Sequence, residues 1–530
     1  MSVPWLTVVL MVPLGGALLL QVIPRTAPSL IKALTVATTL VTAIIVWSLV
    51  AGISSSPVSH LSPGPLSFHY EEVHEWVPAI GADYHLGLDG ISAWILALNA
   101  GVFLVASILV SRRSTQRLKL FCGLLLLTET MTAGVLLSLD LLLFYLFWEG
   151  MLIPLYFVLA NYGNENRGRA TLKFIIYTVA GSLLMLIAII SLYFASGKGS
   201  FDLTLLLGGQ MSHTPLVIPG LNITTLTPEQ WAFLAFAAAF LIKIPVVPFH
   251  TWLPDLYESA PVPVLVFFAG LVSKLGAYGF IRFGLTLFPD AINTFKWLLA
   301  ALAVLSIIYG ALLALAESDI KRIVAYSSIS HLGFIALGIF TLTNNGVNGA
   351  VIQIVNHGII VAALFIIVGI IEERTGTRDR HELAGLEKPM PWLYGLFLVA
   401  TLAGFGMPGM NSFVGEFTIM LGAFQLHPAY AVLTGVGVVL AAWYMLRLHQ
   451  GLMHDPPQPR TENVRDIRPG QALVLLPLVG LMVLIGVFPR PIGDVSRASV
   501  QQTVAVANGS AGSAAQAVGF NDTTAGAGTP

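Results

Sequence analysis

Six ionisable residues sit inside apolar runs of this 530-residue sequence, where charge is expensive. Glu149 follows Trp148 in LLLFYLFWEGMLIPLY, and Lys243 lies in FAAAFLIKIPVVPFHTWLP. Lys274 falls in FFAGLVSKLGAYGF, His331 in SSISHLGF, His357 in VIQIVNHGIIVAALF and Glu416 in MPGMNSFVGEFTIML. Glu129, in LLLLTETMTAG, is a weaker member of the set. On insertion scales, a charged side chain at the centre of a membrane helix costs about 2.5–3.5 kcal/mol. Taken singly, each residue has a local explanation. A buried histidine can bond a neighbouring helix, a lysine near a helix end can reach the headgroups, and Glu149 with Lys243 suits a fixed ion pair. Taken together, the carboxylates and amines have proton affinities that answer to burial and to one another, by about 1–3 pKa units for a nearby opposite charge. A proton relay requires that.

Such a relay needs helices that cross a bilayer, each with about 20 largely apolar residues. Segments of that kind recur near 2–23, 29–52, 90–111, 120–139, 141–161, 171–195, 230–250, 261–287, 297–316, 323–342, 347–371, 391–423, 430–449 and 471–489, about fourteen by the same length rule. Each is expected to be helical, because lipid offers no partner to an unpaired backbone group. Met1 to Leu20 lacks a basic leader and reads as a retained first span. Two spans should be broken. Pro245 and Pro248 follow Lys243, while Gly404, Gly406, Pro408 and Gly409 precede Glu416. Proline removes a backbone donor and blocks the preceding turn.

Interrupted spans beside midplane charges point to inverted-repeat transporters. The expected fold is therefore an all-α polytopic membrane protein with two inverted five-helix repeats and two broken helices. The domains read as 1–119, three helices with an external loop at 53–89; 120–287, the first repeat; 288–450, the second; 451–489, a cytoplasmic loop and last helix; and 490–530, a flexible polar tail rich in Ala, Gly, Thr and Asn from Gln501 onward.

Loop charges orient the bundle. Arg25, Arg112, Arg113, Arg117, Lys119, Arg167, Arg169, Lys321, Arg322, Arg374, Arg378, Arg380, Arg460, Arg465 and Arg468 share one side if the spans alternate. The opposite loops are nearly free of Lys and Arg, and 53–89 carries Glu71, Glu72 and Glu75 with no basic residue. The positive-inside rule makes the first side cytoplasmic and puts both termini on the other.

Composition narrows the function. The chain is 56% hydrophobic and 10% charged, against about 25% charged in soluble domains. A net charge of -1 leaves no electrostatic footprint for nucleic acid. Cys122 is the only cysteine, so internal disulfides, thiolate iron–sulfur clusters and cysteine-rich zinc sites are excluded. There is no glycine-rich phosphate loop. No metal site is expected, and any redox centres belong to other subunits. Asp140, between spans, reads as a helix cap. Arg282 reads as a partner for a carboxylate or a helix-end marker, and Asp255 and Glu258 as a water-facing helix end or a proton entry.

LDLLLFYLFWEGMLIPLY, KIPVVPFHTWLPD, SKLGAYGFIRF, SDIKRIVAYSSISHLGF and NSFVGEF, in that order, resemble the antiporter-like membrane subunits of proton-pumping NADH–quinone oxidoreductase. The nearest likeness is to the M-type subunit, also called subunit four, whose counterpart in the cyanobacterial and chloroplast enzyme is the D-type subunit. The resemblance is strong over about 120–450. It implies a relay of Glu149, Lys243, Lys274 and Glu416, with His250, His331 and His357 along the pathway. It also implies FMN and iron–sulfur clusters on partner subunits, no cofactor on this chain, and L-type and N-type antiporter-like neighbours in an energy-transducing membrane, bacterial or thylakoid. Glutamate at 416, where the L and N types usually carry lysine, favours the M type, as does the short polar tail. The stretch HTWLPDLYESAPVPVLVFFAG departs from the family pattern after LPD and puts the local entry path in doubt. A subunit of a multi-subunit sodium/proton antiporter is the rival reading, and a stand-alone solute transporter is the third.

Overall fold

The computed structural model describes residues 3–509, apart from 57, 60, 62–63, 113–114, 208–210, 213, 215–216, 219–222 and 225. Arg113 and residues 510–530 therefore lie outside the described residues. Twelve described helices are long and apolar enough to cross a bilayer. They are α1 (Trp5–Val22), α2 (Pro28–Ser55), α3 (Gly90–Ser111), α4 (Leu118–Leu137), α5 (Leu141–Asn161), α6 (Arg167–Ser196), α8 (Val262–Leu287), α9 (Pro289–Ala316), α10 (Ile320–Phe340), α11 (Asn344–Thr375), α13 (Pro428–Met453) and α14 (Pro469–Val487). Two interrupted crossings fill the gaps: α7a (Pro228–Lys243) with α7b (Trp252–Ser259), and α12a (Pro391–Gly404) with α12b (Asn411–Leu426). Many large apolar side chains face outward, among them Leu18, Ile153, Ile187 and Val439. Apolar flanks of that kind suit lipid or neighbouring subunits, whereas water would penalise them.

Burial is uneven. The most apolar windows of α8 and α11 are wholly buried, and 94% of that of α10 is, whereas α13 buries 28%. These three helices form the spine, with α8 packed on α3 and α11, and α11 on α10 and α12b.

The spine helix α8 is itself irregular, which its sequence did not announce. A 3-10 turn at Val272–Lys274 and a π segment at Phe280–Gly284 interrupt it. The π segment presents Arg282 to Asp89, with Nη2 to Oδ1 at 2.6 Å, and Tyr278 Oη accepts from Arg282 Nε at 3.2 Å. Arg282 thus takes the carboxylate partner that was one of its two expected readings. Asp89 also caps α3, accepting from Ile91 and Ser92 N–H. Burial pushes the Asp89 carboxyl up, but Arg282 and the cap outweigh it and hold it below the usual carboxylate range.

The 53–89 region contains a hairpin, β1 (Tyr70–Val77) against antiparallel β2 (Ala82–Leu88), in register Tyr70↔Leu88. Inside it His85 sits between Asp202, at 2.6 Å from Nδ1, and Glu71, at 2.9 Å from Nε2. Burial works against the imidazolium, yet the two carboxylates raise its pKa to about 9. Asp140 caps α5 through Leu142 and Leu143 N–H, as expected.

At the other end, Arg322 reaches Glu258 at 2.8 Å, Lys173 reaches Asp255 at 2.7 Å, and Arg378 reaches Asp319 at 3.1 Å. Asp255 and Glu258 are therefore anchors in an ionic cluster at the end of α7b. Lys321 Nζ completes that end by donating to the carbonyls of Glu258 and Ala260.

The expectation of a flexible tail over 490–530 is corrected for its first part. Arg490–Ala507 forms an amphipathic helix, α15, which packs on α3, α9, α11 and the end of α8. Its buried side includes Ile492, Ser496, Ser499, Val500, Thr503 and Val504. That spacing of three and four residues is a helical stripe, written in small and hydroxylated residues that read as disorder by composition.

Candidate functional site

The breaks in α7 and α12 hold the site open. After Lys243 the chain loses its helical bonding, and the Ile242 carbonyl accepts instead from Trp252 Nε1 at 2.9 Å. Val247 N–H donates to Ser306 Oγ of α9 at 2.9 Å. Gly276 on α8 has no side chain, so α7a approaches closely: a Cβ there would lie 2.6 Å from the Phe240 carbonyl and 3.0 Å from Lys243 Cβ. This close approach brings Lys243 beside the turn that carries Lys274.

Lys243 is 1% exposed, and its Nζ has no hydrogen-bond partner among the described residues. Aromatic faces surround it, with Trp148 at 5.1 Å and Phe174 at 5.5 Å from ring centroid to Nζ. Glu149 acts on it electrostatically, but no Glu149–Lys243 ion pair forms within 4.0 Å among the described residues. Glu149 Oε1 is buried without a donor. The fixed ion pair is therefore not what the structure holds. The two groups face each other across a gap.

Lys274 is 0% exposed and donates from Nζ to the Ala269 carbonyl. His357 on α11 lies within electrostatic reach of both Lys274 and His331. The His357 and His331 rings sit 5.4 Å apart between centroids. His357 Nδ1 is buried with no partner among the described residues. A small cavity of about 10 Å³ adjoins the two imidazoles, lined also by Ser327 and Gly404. That space admits about one water molecule.

His331 is held at both nitrogens, by Glu416 Oε1 at 2.9 Å from Nδ1 and by Tyr444 Oη at 3.1 Å from Nε2. Glu416 Oε1 also accepts from Ser412 Oγ at 2.9 Å and Gln353 Nε2 at 3.1 Å. Gly406, in the α12 break, adopts a positive φ of 72°. A Cβ on it would come within 2.6 Å of Glu416 Oε2. The break thus both unwinds the helix and clears room for the carboxylate. Asn356 and Asn411 pin the start of α12b to α11 by reciprocal amide-to-carbonyl bonds of 2.6 and 3.4 Å.

Lys243, Lys274, His357, His331 and Glu416 therefore form a buried succession across the bundle, with the half-buried Glu149 at one end. His250 stands apart from it, in the α7 break, with its ring 5.4 Å from Tyr309 and Nδ1 unpartnered among the described residues. Sequence reading missed Gln353, Ser412, Tyr444, Asn356 and Asn411. Amides and hydroxyls are common in membrane helices, and only their spacing of three and four residues along α11 and α12b marks them.

Residues 138–441 match the family model described as NADH:quinone oxidoreductase/Mrp antiporter, TM. The chain is 34% identical to NADH-quinone oxidoreductase subunit M of Mycobacterium tuberculosis, covering 95% of this chain and 94% of that one. It is 35% identical to the subunit M of Rhodobacter capsulatus, covering 97% and 99%. Among solved structures it resembles a chain of respiratory complex I from Thermus thermophilus with a TM-score of 0.79 and 31% identity, over 95% of this chain and 99% of that one. A chain of the Mrp complex from Dietzia shares the fold, with a TM-score of 0.78 at 22% identity over 95% of this chain and 52% of that one. The chain belongs to the NADH:quinone oxidoreductase/Mrp antiporter family, in the branch of NADH–quinone oxidoreductase subunit M.

Proposed function

We propose that this chain is a proton-translocating subunit in the membrane arm of an NADH–quinone oxidoreductase. FMN and iron–sulfur centres on other subunits pass electrons to ubiquinone, menaquinone or plastoquinone, and L-type and N-type subunits flank it. The succession from Glu149 to Glu416 through two lysines and two histidines carries this reading. A proton enters from the basic face near His250 and Lys274 and reaches Lys243, where an ionised Glu149 retains it. When Glu149 turns to another partner, the proton leaves along Lys274, His357 and His331 to Glu416 and exits on the acidic face. Water bridges the unbonded steps. No redox step occurs on this chain.

The antiporter-subunit reading rests on the shared family model and on fold at 22% identity, whereas the relatives in Mycobacterium tuberculosis and Rhodobacter capsulatus, above 30% identity over nearly the full length, are oxidoreductase subunits. The test is NADH-driven acidification of vesicles carrying the purified complex with Lys243→Ala or Glu149→Gln. The expected outcome is an assembled complex with little proton transport. Normal transport by either variant defeats the proposal. Recovery of the chain with small antiporter subunits alone, free of quinone-reductase chains, would establish the rival.

A further inference from the structure

Among the buried carboxylates outside that succession, one differs from the rest. Glu129 of α4 is 0% exposed, and neither of its carboxyl oxygens has a hydrogen-bond partner among the described residues. The other buried carboxylates, Asp89, Asp140, Asp202, Glu229 and Glu416, each accept hydrogen bonds. Most buried side-chain polar atoms have at least one hydrogen-bond partner, so a buried carboxyl group with none calls for an explanation.

Its depth follows from neighbouring contacts. Helices α4 and α8 run the same way and touch where Tyr278 Oη donates to the Leu136 carbonyl at 2.8 Å. Thr132 of α4 donates to Asn99 of α3 at 2.8 Å. One turn along α3, Val102 packs on Gly270 of α8, where a Cβ would stand 3.0 Å from it. Glu129 lies one turn before Thr132 on the same side of α4, towards the basic face, at about 1.5 Å of rise per residue. That is the level of Gly270 and Ala269. The Lys274 chain folds back to this level, because its Nζ donates to the Ala269 carbonyl.

The geometry points to Glu129 as a carboxylate partner of Lys274, exchanging a proton with its amine. The Glu129 O–H bond breaks as an N–H bond forms on Lys274, giving carboxylate and ammonium; the reverse restores acid and amine. Both charges appear and vanish together, so no net charge enters the dry layer. Rotation of the four-carbon lysine chain away from the Ala269 carbonyl brings the groups together. The arrangement nests one pair inside another: α5 and α7a carry Glu149 and Lys243, while the flanking α4 and α8 carry Glu129 and Lys274. Glu129 thereby gives Lys274 a place to hold a proton while Lys243 is engaged, which rests on the relay proposed above.

The test uses the whole complex in liposomes, with Glu129→Gln, Glu129→Asp and Glu149→Gln. Proton transport per NADH oxidised is measured beside the infrared difference spectrum on adding NADH. Glu129→Gln, which keeps shape and neutrality, is expected to lower transport at least threefold and to remove a protonated-carboxyl carbonyl band. Glu129→Asp, which keeps the acid, should retain most transport. An unchanged ratio and spectrum in Glu129→Gln, with Glu149→Gln defective, overturns this inference and leaves the relay standing. Lost transport with an unchanged spectrum also overturns it, because a structural role alone produces that result. Unimpaired Glu149→Gln overturns the relay itself, and this inference with it.

Discussion

The surroundings of Glu149 and Lys243 differ sharply from those of His331 and Glu416. Around the first pair, the amine has no acceptor and one carboxyl oxygen has no donor. Around the second, one carboxylate oxygen takes three donors, and the imidazole is engaged at both nitrogens. Both lie beside a broken helix. An unbonded charged group changes partner without first breaking hydrogen bonds, whereas a saturated one is fixed in place by what it would lose. The first region can exchange partners at little cost, whereas the second holds its geometry.

That contrast can be broken in several ways. The largest expected effect is on transport: Lys243→Ala should reduce NADH-driven vesicle acidification at least tenfold while the complex still assembles on native gels. Next comes stability. Glu416→Ala strands the donors of His331, Gln353 and Ser412 and should cost about 3–5 kcal/mol, whereas Glu149→Ala gives up only a hydrogen bond with Ser182 and should cost about 1 kcal/mol. Thermal unfolding of the purified complex compares the two, and equal losses would erase the distinction. Gly406→Ala forces a side chain onto a positive φ against Glu416 and should cost about 1–3 kcal/mol, seen as faster hydrogen exchange in 404–416. Tyr444→Phe removes a single bond to His331 and should cost about 0.5–1.5 kcal/mol by the same measurement.

The β1–β2 hairpin sharpens the comparison as a control. His85 binds its proton more tightly when folded, so its contribution is fully present below pH 6.5 and fades as pH rises through about 9. Exchange in 70–88 should quicken across that window, while the α12 break stays protected.

The spans and the charged residues were legible because a lysine or glutamate in an apolar run is conspicuous in one dimension. The breaks at Pro245, Pro248 and Gly406 were equally visible, since proline and glycine act on their own backbone. The network that saturates Glu416 was not. Gln353, Ser412 and Tyr444 cost little to insert and acquire meaning only when α11, α12b and α13 meet. The irregular turns of α8 left no mark either, because Arg282 finds Asp89 across a separation of 193 residues. The helix at 490–507 was hidden by composition: its stripe mixes hydroxyl residues with isoleucine and valine and holds no leucine.

That final helix has a mechanical consequence. Ser499 of α15 accepts from the start of α3, Ser496 donates to Asn348 at the start of α11, and the Ala507 carbonyl receives Asn293 from the start of α9. Asn508, just past its end, donates to the Leu342 carbonyl after α10. One short strut thus fastens the acidic-face ends of α3, α9, α10 and α11. Any relative motion of these four helices is held at that end, which leaves more freedom to the arginine-rich opposite face, where the ties are ion pairs that re-form in a new alignment.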